Sequence, residues 1–173
     1  MGRHPHPLHW LQELHKESYL WSLCCCSYNE ELAKDVLQDA YLKVGENKAG
    51  NFSKTYRKTW FFSIIKYTAI DAMRKRKLYT VPVSEAFNLA DDSKGTKEDS
   101  EHIDNFKQIL EELSTQQREV LTLVFYSNLT INEAAKILKM KVGTARTHYK
   151  RGKENFKKRL MRIRSNEVKS NNK

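Results

Sequence analysis

The sequence predicts an all-α protein built from two small helical domains joined by a flexible acidic linker, the C-terminal domain being a helix-turn-helix. Apolar residues recur at helical spacing in two stretches, and no run alternates as a strand would. A polar segment without hydrophobic periodicity separates the two stretches. At 173 residues the chain is long enough for two small domains, each with a modest core.

The charge distribution supports this division into domains. We expect a helical domain over 8–79, a linker over 80–104, a second domain over 105–165 and a disordered tail over 166–173. Residues 139–173 carry 13 Lys/Arg against 2 Asp/Glu, whereas 84–112 carry 3 Lys against 9 Asp/Glu. A basic end beside an acidic middle predicts that the end binds a polyanion and that the middle is a solvated connector.

In the first domain, a helix predicted over 30–44 has one broad apolar face. The opposite face carries Asp35, Gln38, Asp39 and Leu42. A leucine among acids and an amide is a candidate protein-docking surface, with an apolar anchor and a polar rim. Because singly exposed leucines are common, an ordinary solvated face remains the alternative.

A polar loop and a long helix follow, and both bring cations close to aromatic rings. This mixture suits single-stranded nucleic acid, in which bases stack on rings and phosphates pair with cations. A surface loop pinned by Phe52 is the alternative. On the helix, Phe61, Ile64, Ile65 and Thr68 can face inward and leave its cations free for a phosphate backbone. The candidate DNA contacts are Asn51, Phe52, Ser53, Lys54, Tyr56, Arg57, Lys66, Arg74, Lys75, Arg76 and Lys77.

The second domain shows a helix-turn-helix pattern. A packing helix over 116–126 precedes a short helix over 131–138, in which Thr130 and Glu133 stand in capping-box register. A third helix begins near Val142, and one of its faces carries Val142, Ala145, Tyr149 and Gly152. In such a motif the last helix enters the major groove of DNA, where Thr, Lys and Arg can reach base edges and phosphates. The candidate reading face is Gly143, Thr144, Arg146, Thr147, Lys150 and Arg151, with a merely solvated basic face as the alternative.

The remaining composition gives no sign of a metal, a cofactor or a membrane anchor. Three adjacent cysteines, Cys24 to Cys26, point about 100° apart on a helix and cannot ligate one metal together. Their odd number cannot complete a disulfide framework, so we expect buried thiols in a reducing cytosol. No apolar run is long enough to span a bilayer. We therefore expect a cytoplasmic protein without stable membrane insertion.

Three sequence blocks occur in order along the chain. The first is DVLQDAYLKV at 35–44, and the second is WFFSII at 60–65 followed by DAMR at 71–74. The third comprises LSTQQREVL at 113–121, INEAA at 131–135 and VGTART at 142–147. Over about residues 11–160 these blocks resemble the small two-domain bacterial sigma factors of the extracytoplasmic-function (ECF) family.

The resemblance implies an all-helical fold, with core RNA polymerase and promoter DNA as partners and neither catalysis nor a small-molecule substrate. It implies that the first block docks on the polymerase clamp, that the second melts the promoter and that the third reads the upstream element. It also implies that the loop over 51–57 captures an unstacked base. The family often uses an anti-sigma factor, whose natural target would be the exposed docking face. Val142 departs from the pattern, because a polar cap is usual there.

Two other functions would each account for part of the sequence. A stand-alone helix-turn-helix transcriptional regulator would explain the second domain but neither the docking face nor the aromatic, cationic loop. It should also dimerise on a palindrome, and no dimerisation helix remains for that purpose. An enzyme such as a metal hydrolase, using the His- and Cys-rich start, lacks both ligand spacing and a nucleophile–base pair. The sequence thus predicts a sigma factor that binds core polymerase and directs promoter recognition and melting.

Overall fold

A computed structural model describes residues 9–46, 54–79 and 108–170, and every regular element within those ranges is helical. The N-terminal lobe (9–46 and 54–79) contains α1 (His9–Glu13), α2 (His15–Cys25), α3 (Glu30–Glu46) and α4 (Lys54–Tyr79). The C-terminal lobe (108–170) starts with a helical turn at 108–111. It continues with α5 (Thr115–Leu121), a π-helical turn (Thr122–Tyr126), α6 (Ile131–Ile137) and α7 (Val142–Ser170).

In the N-terminal lobe, α2, α3 and α4 pack around large aromatic side chains. The Trp21 indole N–H donates to the Phe62 carbonyl over 3.0 Å, and the two rings stack with centroids 6.3 Å apart. The Ser22 hydroxyl donates to the Ala33 carbonyl over 2.8 Å and so ties α2 to α3. The predicted apolar face of α3 is buried, and its opposite face is therefore left on the surface.

The turn between α2 and α3 has an unusual backbone. Ser27 and Tyr28 have φ of 53° and 61°, a left-handed conformation that side chains disfavour. The Tyr28 N–H closes the turn by donating to the Leu23 carbonyl over 2.8 Å. This turn brings the Tyr28 ring against Arg118 of the C-terminal lobe, whose guanidinium carbon lies 5.6 Å from the ring centroid.

The C-terminal lobe contains the predicted helix-turn-helix. The capping box at the start of α6 is confirmed: Thr130 Oγ1 accepts from the Glu133 N–H, and the Glu133 carboxylate accepts from the Thr130 N–H. Gly152 of α7 lies against α5, where an added Cβ would stand 3.3 Å from the Gln117 carbonyl oxygen. A larger residue there would push α5 and α7 apart.

Several boundaries differ from the sequence expectation. The packing helix begins at Thr115, α6 ends at Ile137, and Val142 is 37 % exposed although its predicted facial neighbour Ala145 is buried. Residues 166–170, assigned above to a disordered tail, instead continue α7, because neither glycine nor proline follows Gly152 to end the helix. The predicted linker, 80–104, lies outside the described residues.

The lobes pack directly on each other, and the largest apolar cluster contains residues of both. Leu123, Leu129 and Ile137 of the C-terminal lobe join the cluster that includes Trp21 and Phe61 of the N-terminal lobe. Each lobe is too small to cover its own apolar face completely. The sequence predicted the helical periodicity of both lobes but gave no sign that they share a core.

Candidate nucleic-acid and polymerase interfaces

The start of α7 presents the predicted reading face to solvent. Ala145 is fully buried and fixes the rotation of the helix on α5 and α6. Gly143 leaves open space, since an added Cβ would meet nothing within 4 Å. All of the predicted members are exposed: Gly143, Thr144, Arg146, Thr147, Lys150 and Arg151.

Thr147 is restrained within this face. Its hydroxyl donates to the Gly143 carbonyl one turn earlier, over 3.0 Å. While this bond holds, the oxygen can only accept a further hydrogen bond. In the major groove its matching partners are then the amino groups of adenine and cytosine, rather than the acceptor atoms of guanine.

Polar contacts to the helices beneath hold α7 in place. The Asn155 side-chain amide donates to Gln117 Oε1 over 3.0 Å, linking α7 to α5. Farther along, Arg159 forms an ion pair with Glu112, just before α5. The capping box lowers the pKa of the Glu133 carboxyl through the hydrogen bond from the Thr130 backbone, which strengthens the start of α6. The reading face therefore rests on a fixed support.

The predicted docking face occupies the outer side of α3. Asp35, Gln38 and Asp39 are exposed, and Leu42 among them is 58 % exposed. On the inner side, the Lys43 ammonium donates to the Thr68 hydroxyl of α4 over 2.9 Å. The four predicted side chains are thus displayed together on a helix that is anchored to the core.

The set predicted for start-proximal DNA is described only in part. Asn51, Phe52 and Ser53 lie outside the described residues, and nothing is described of the Lys54 side chain at the start of α4. Tyr56 is 59 % exposed, as expected for a ring that offers a stacking surface.

The other aromatic and cationic members of this set lie along α4. Arg57 lies over the Trp10 ring, with its guanidinium carbon 6.0 Å from the ring centroid. The exposed cations at the end of α4 are Arg74, Lys75, Arg76 and Lys77.

Lys66, predicted to contact start-proximal DNA, is covered by the second lobe in this structure. Its ammonium forms an ion pair with Glu119 of α5, and the two side chains are only 15 % and 7 % exposed. Burial alone would lower the pKa of Lys66, but the neighbouring Cys25 and Glu119 groups outweigh burial and raise it. Periodicity on α4 could not show that the second lobe covers this part of the helix, and a contact between Lys66 and DNA stays a prediction.

A further surface feature was missed by the sequence analysis. An apolar groove of about 210 Å³ opens on the C-terminal lobe, beside the exposed rings of Phe125 and Tyr126. It is large enough to take an apolar side chain of a protein partner. The adjacent aromatic pair at the end of a predicted packing helix was the one available signal. The groove is lined by Leu110, Leu121, Thr122, Phe125, Tyr126, Lys153 and Phe156.

The cysteines lie where the lobes meet. Cys24, Cys25 and Cys26 are free and buried, as predicted. Burial raises the pKa of Cys24 and of Cys26 to about 11 and that of Cys25 well above its usual value, so these thiols are protonated and unreactive at neutral pH. Among the described residues, no group of three or more His, Cys, Asp or Glu could hold a metal. Within the same ranges, no helix combines the length and the apolar character needed to cross a bilayer.

Comparison with known proteins shows similarity to sigma factors along most of the chain. Residues 103–156 match the family described as Sigma-70, region 4, which is the part that contains the helix-turn-helix. The chain is 28 % identical over 149 residues to the RNA polymerase sigma factor SigV of Bacillus subtilis (strain 168), covering 86 % of this chain and 85 % of SigV. The chain is thus similar to ECF sigma factors over most of its length. The ECF sigma factor SigX of the same organism is 26 % identical over 139 residues, covering 76 % of this chain and 72 % of SigX.

Solved structures share the fold of this chain. The sigma factor RpoE of Bartonella quintana, in complex with the anti-sigma factor NepR, superimposes with a TM-score of 0.66. Its sequence is 23 % identical, and the match covers 89 % of this chain and 98 % of RpoE. CnrH, in complex with the cytosolic domain of CnrY, gives a TM-score of 0.58 at 17 % identity over 90 % of each chain. At these identities the likeness establishes the all-helical, two-lobed fold.

Proposed function

We propose that this chain is an ECF sigma factor that binds core RNA polymerase and directs it to promoters, where it recognises the DNA and helps to melt it. The observation that carries the proposal is the presence, on one chain, of a helix-turn-helix reading face on α7 and a separate exposed docking face on α3. A regulator that only bound DNA would have no use for the second surface. As a sigma factor, the chain supplies recognition, and the polymerase supplies the chemistry.

Polymerase binding is assigned to the outer face of α3. Leu42 offers an apolar anchor, while Asp35, Gln38 and Asp39 form a polar rim that suits a basic partner. Such an anchor, once covered by a partner, typically accounts for about 1–3 kcal/mol of binding free energy. The rigid seating of α3 on α4 reduces the entropy lost on docking.

DNA binding is divided between the two lobes. We assign the upstream element to the α7 face around Thr147 and Arg151, which offers base-edge contacts with phosphate contacts beside them. We assign the start-proximal element to residues 51–57 and to the cations at 74–77, with the exposed Tyr56 ring stacking on an unpaired base. Joining two weak readers through one polymerase raises specificity by effective concentration.

The remaining assignments follow from membership of the family. We assign the protein to the cytoplasm, where polymerase and DNA are found. Its cysteines are protonated and form no disulfide, which suits a reducing compartment. An anti-sigma factor as a regulatory partner is supported by the complex of the sigma factor RpoE with the anti-sigma factor NepR. We assign no catalytic activity to the chain itself.

Reconstitution tests the proposal. Core polymerase is mixed with the chain and a library of promoter-length duplexes, and the initiated RNAs are sequenced. We expect one shared promoter sequence to be enriched, and to be enriched only when both proteins are present. Enrichment by the chain alone, as a dimer on a palindrome, would instead support the stand-alone regulator.

A further inference from the structure

An open pocket on the N-terminal lobe has no part in the function proposed above. Its volume is about 490 Å³, within the range of sites that bind small organic groups. It lies where α1 and the start of α2 meet α3, and side chains from all three helices converge on it. The lining residues are Leu11, Gln12, His15 and Tyr41.

The two rings in the wall of this pocket are the outer members of a stack that begins in the core. Phe61 is fully buried, and the Tyr41 ring lies at 19° to it with the centroids 5.4 Å apart. The exposed His15 ring continues the stack at 20° to Tyr41, with 6.1 Å between centroids. The Tyr41 hydroxyl and His15 Nδ1 are hydrogen-bonded over 2.8 Å, which holds the two rings together. The wall is therefore a supported aromatic surface of the kind on which nucleobases stack.

Gln12 supplies the polar group that a stacked base needs at its edge. Its side chain lines the pocket and is exposed, and its amide can donate and accept at the same time. Two acids follow it in the sequence, but neither opposes a nucleic-acid strand strongly. Glu17 forms an ion pair with Lys58. Glu13 lies 3.8 Å from His9 and is largely exposed, so that solvent screens its charge.

The pocket adjoins the surface assigned above to start-proximal DNA. Trp10, the neighbour of Leu11 in α1, packs edge-on against Phe61 with 5.9 Å between centroids. The same Trp10 ring lies under the Arg57 guanidinium, whose carbon is 6.0 Å from the ring centroid. Arg57 directly follows the exposed Tyr56 ring on α4. A DNA strand held at Tyr56 and Arg57 is thus close to the pocket.

We propose that this pocket holds one unpaired nucleobase of the opened DNA strand, stacked against the His15 and Tyr41 rings and contacted at its edge by Gln12. The inference rests on the proposed function and adds a second base site to it, separate from the loop over 51–57. A protein side chain would use either the rings or the amide, whereas a base uses both at once. Adenine fits best, because a side-chain amide pairs with its amino group and its ring nitrogen.

Removal of single bases from promoter DNA gives the direct test. The holoenzyme, made from core polymerase and the chain, is bound to a duplex whose nontemplate strand is unpaired around the start site. Each unpaired nucleotide in turn is then made abasic. At one position the abasic site should weaken binding of the parent holoenzyme about tenfold.

The double variant Gln12→Ala, His15→Ala identifies that position. It should bind the intact DNA about tenfold more weakly than the parent, and making the same position abasic should cost nothing further. Both side chains are exposed, so helical content should not change. Gln116→Ala removes an exposed amide from the C-terminal lobe and is the matched control, which should keep the full abasic penalty.

Gln12→Ala alone separates the edge contact from stacking. The parent should prefer adenine at the identified position when all four bases are compared. The single variant should lose this preference and still retain part of the abasic penalty, because both rings remain. An unchanged preference for adenine in Gln12→Ala would overturn the assignment of the edge contact.

The remaining outcomes distinguish failure of the inference from failure of the proposed function. If every abasic position weakens the double variant as much as the parent, the pocket holds no base, and the proposed function stands. Equal weakening on every DNA, together with weaker binding to core polymerase, would assign the pocket to a protein contact and overturn the inference. If the parent holoenzyme binds this DNA no better than core polymerase alone, the proposed function fails and the inference falls with it.

Discussion

Leu42 is exposed to water between acidic and amide side chains. A partner that covers its apolar surface lowers the free energy, so the contact favours binding. We expect Asp35→Lys combined with Leu42→Ala to weaken binding to core polymerase by about 1–3 kcal/mol. Neither side chain belongs to the core, so helical content should not change. A titration against labelled core polymerase measures the effect. Lys16→Glu, an exposed charge reversal on α2, is the control, and unchanged affinity in the double variant would contradict the docking assignment.

Thr147 and Arg151 lie on the face that can contact base edges. Lys157 lies farther along α7 and reaches only backbone phosphates. Thr147→Ala or Arg151→Ala should change the preferred sequence of the upstream element, by about 1–3 kcal/mol where a base contact is lost. Lys157→Ala should weaken all sequences alike. Holoenzyme binding to randomised upstream duplexes at fixed salt distinguishes these outcomes. If the Thr147→Ala and Arg151→Ala variants prefer the same sequence as the parent chain, the reading face is misassigned.

At the scale of elements, α6 depends on its capping box. Thr130→Ala should lower the free energy of unfolding by about 1 kcal/mol, while Thr130→Ser should retain most of it. The folded-state pKa of Glu133 is lowered, so its contribution is present above the usual value of 4.5 and is lost as pH falls through the folded value. Denaturant unfolding at several pH values should show the Thr130→Ala difference shrinking on acidification. A difference that grows on acidification would contradict the role of this carboxylate.

The two described glycines of α7 offer a matched pair. Gly143→Ala meets open space and should stabilise the helix by about 0.5–1 kcal/mol, because alanine loses less backbone entropy. Gly152→Ala places its Cβ 3.3 Å from the Gln117 carbonyl, and the resulting strain should cancel that gain or exceed it. Thermal unfolding of the two variants compares them directly. Equal stabilisation by both would show that α5 and α7 are not closely packed at Gly152.

Elements could be predicted from the sequence because helical periodicity and capping are local. The α3 faces, the Thr130–Glu133 box and the exposed side of α7 all follow from spacing along one helix. The π-helical end of the packing helix and the apolar groove beside Phe125 depend on contacts between helices. No pattern within a single helix contains that information.

At the scale of the whole molecule, the arrangement of the lobes was beyond sequence reasoning. The sequence left Lys66 free on a basic helix, but the structure pairs it with Glu119, which lies 53 residues away along the chain. The shared core, likewise, follows from two incomplete apolar surfaces that meet only in three dimensions. The three buried cysteines belong to this shared core.

The central claim is that this chain gives core RNA polymerase its promoter specificity and opens the DNA with it. The most direct measurement is permanganate reactivity of thymines on the DNA enriched by reconstitution, with the chain alone, core polymerase alone and both together. We predict reactive thymines beside the start site only when both proteins are present, and their loss in the Asp35→Lys, Leu42→Ala variant. Reactivity with core polymerase alone, or none with the pair despite stable binding, would contradict the account.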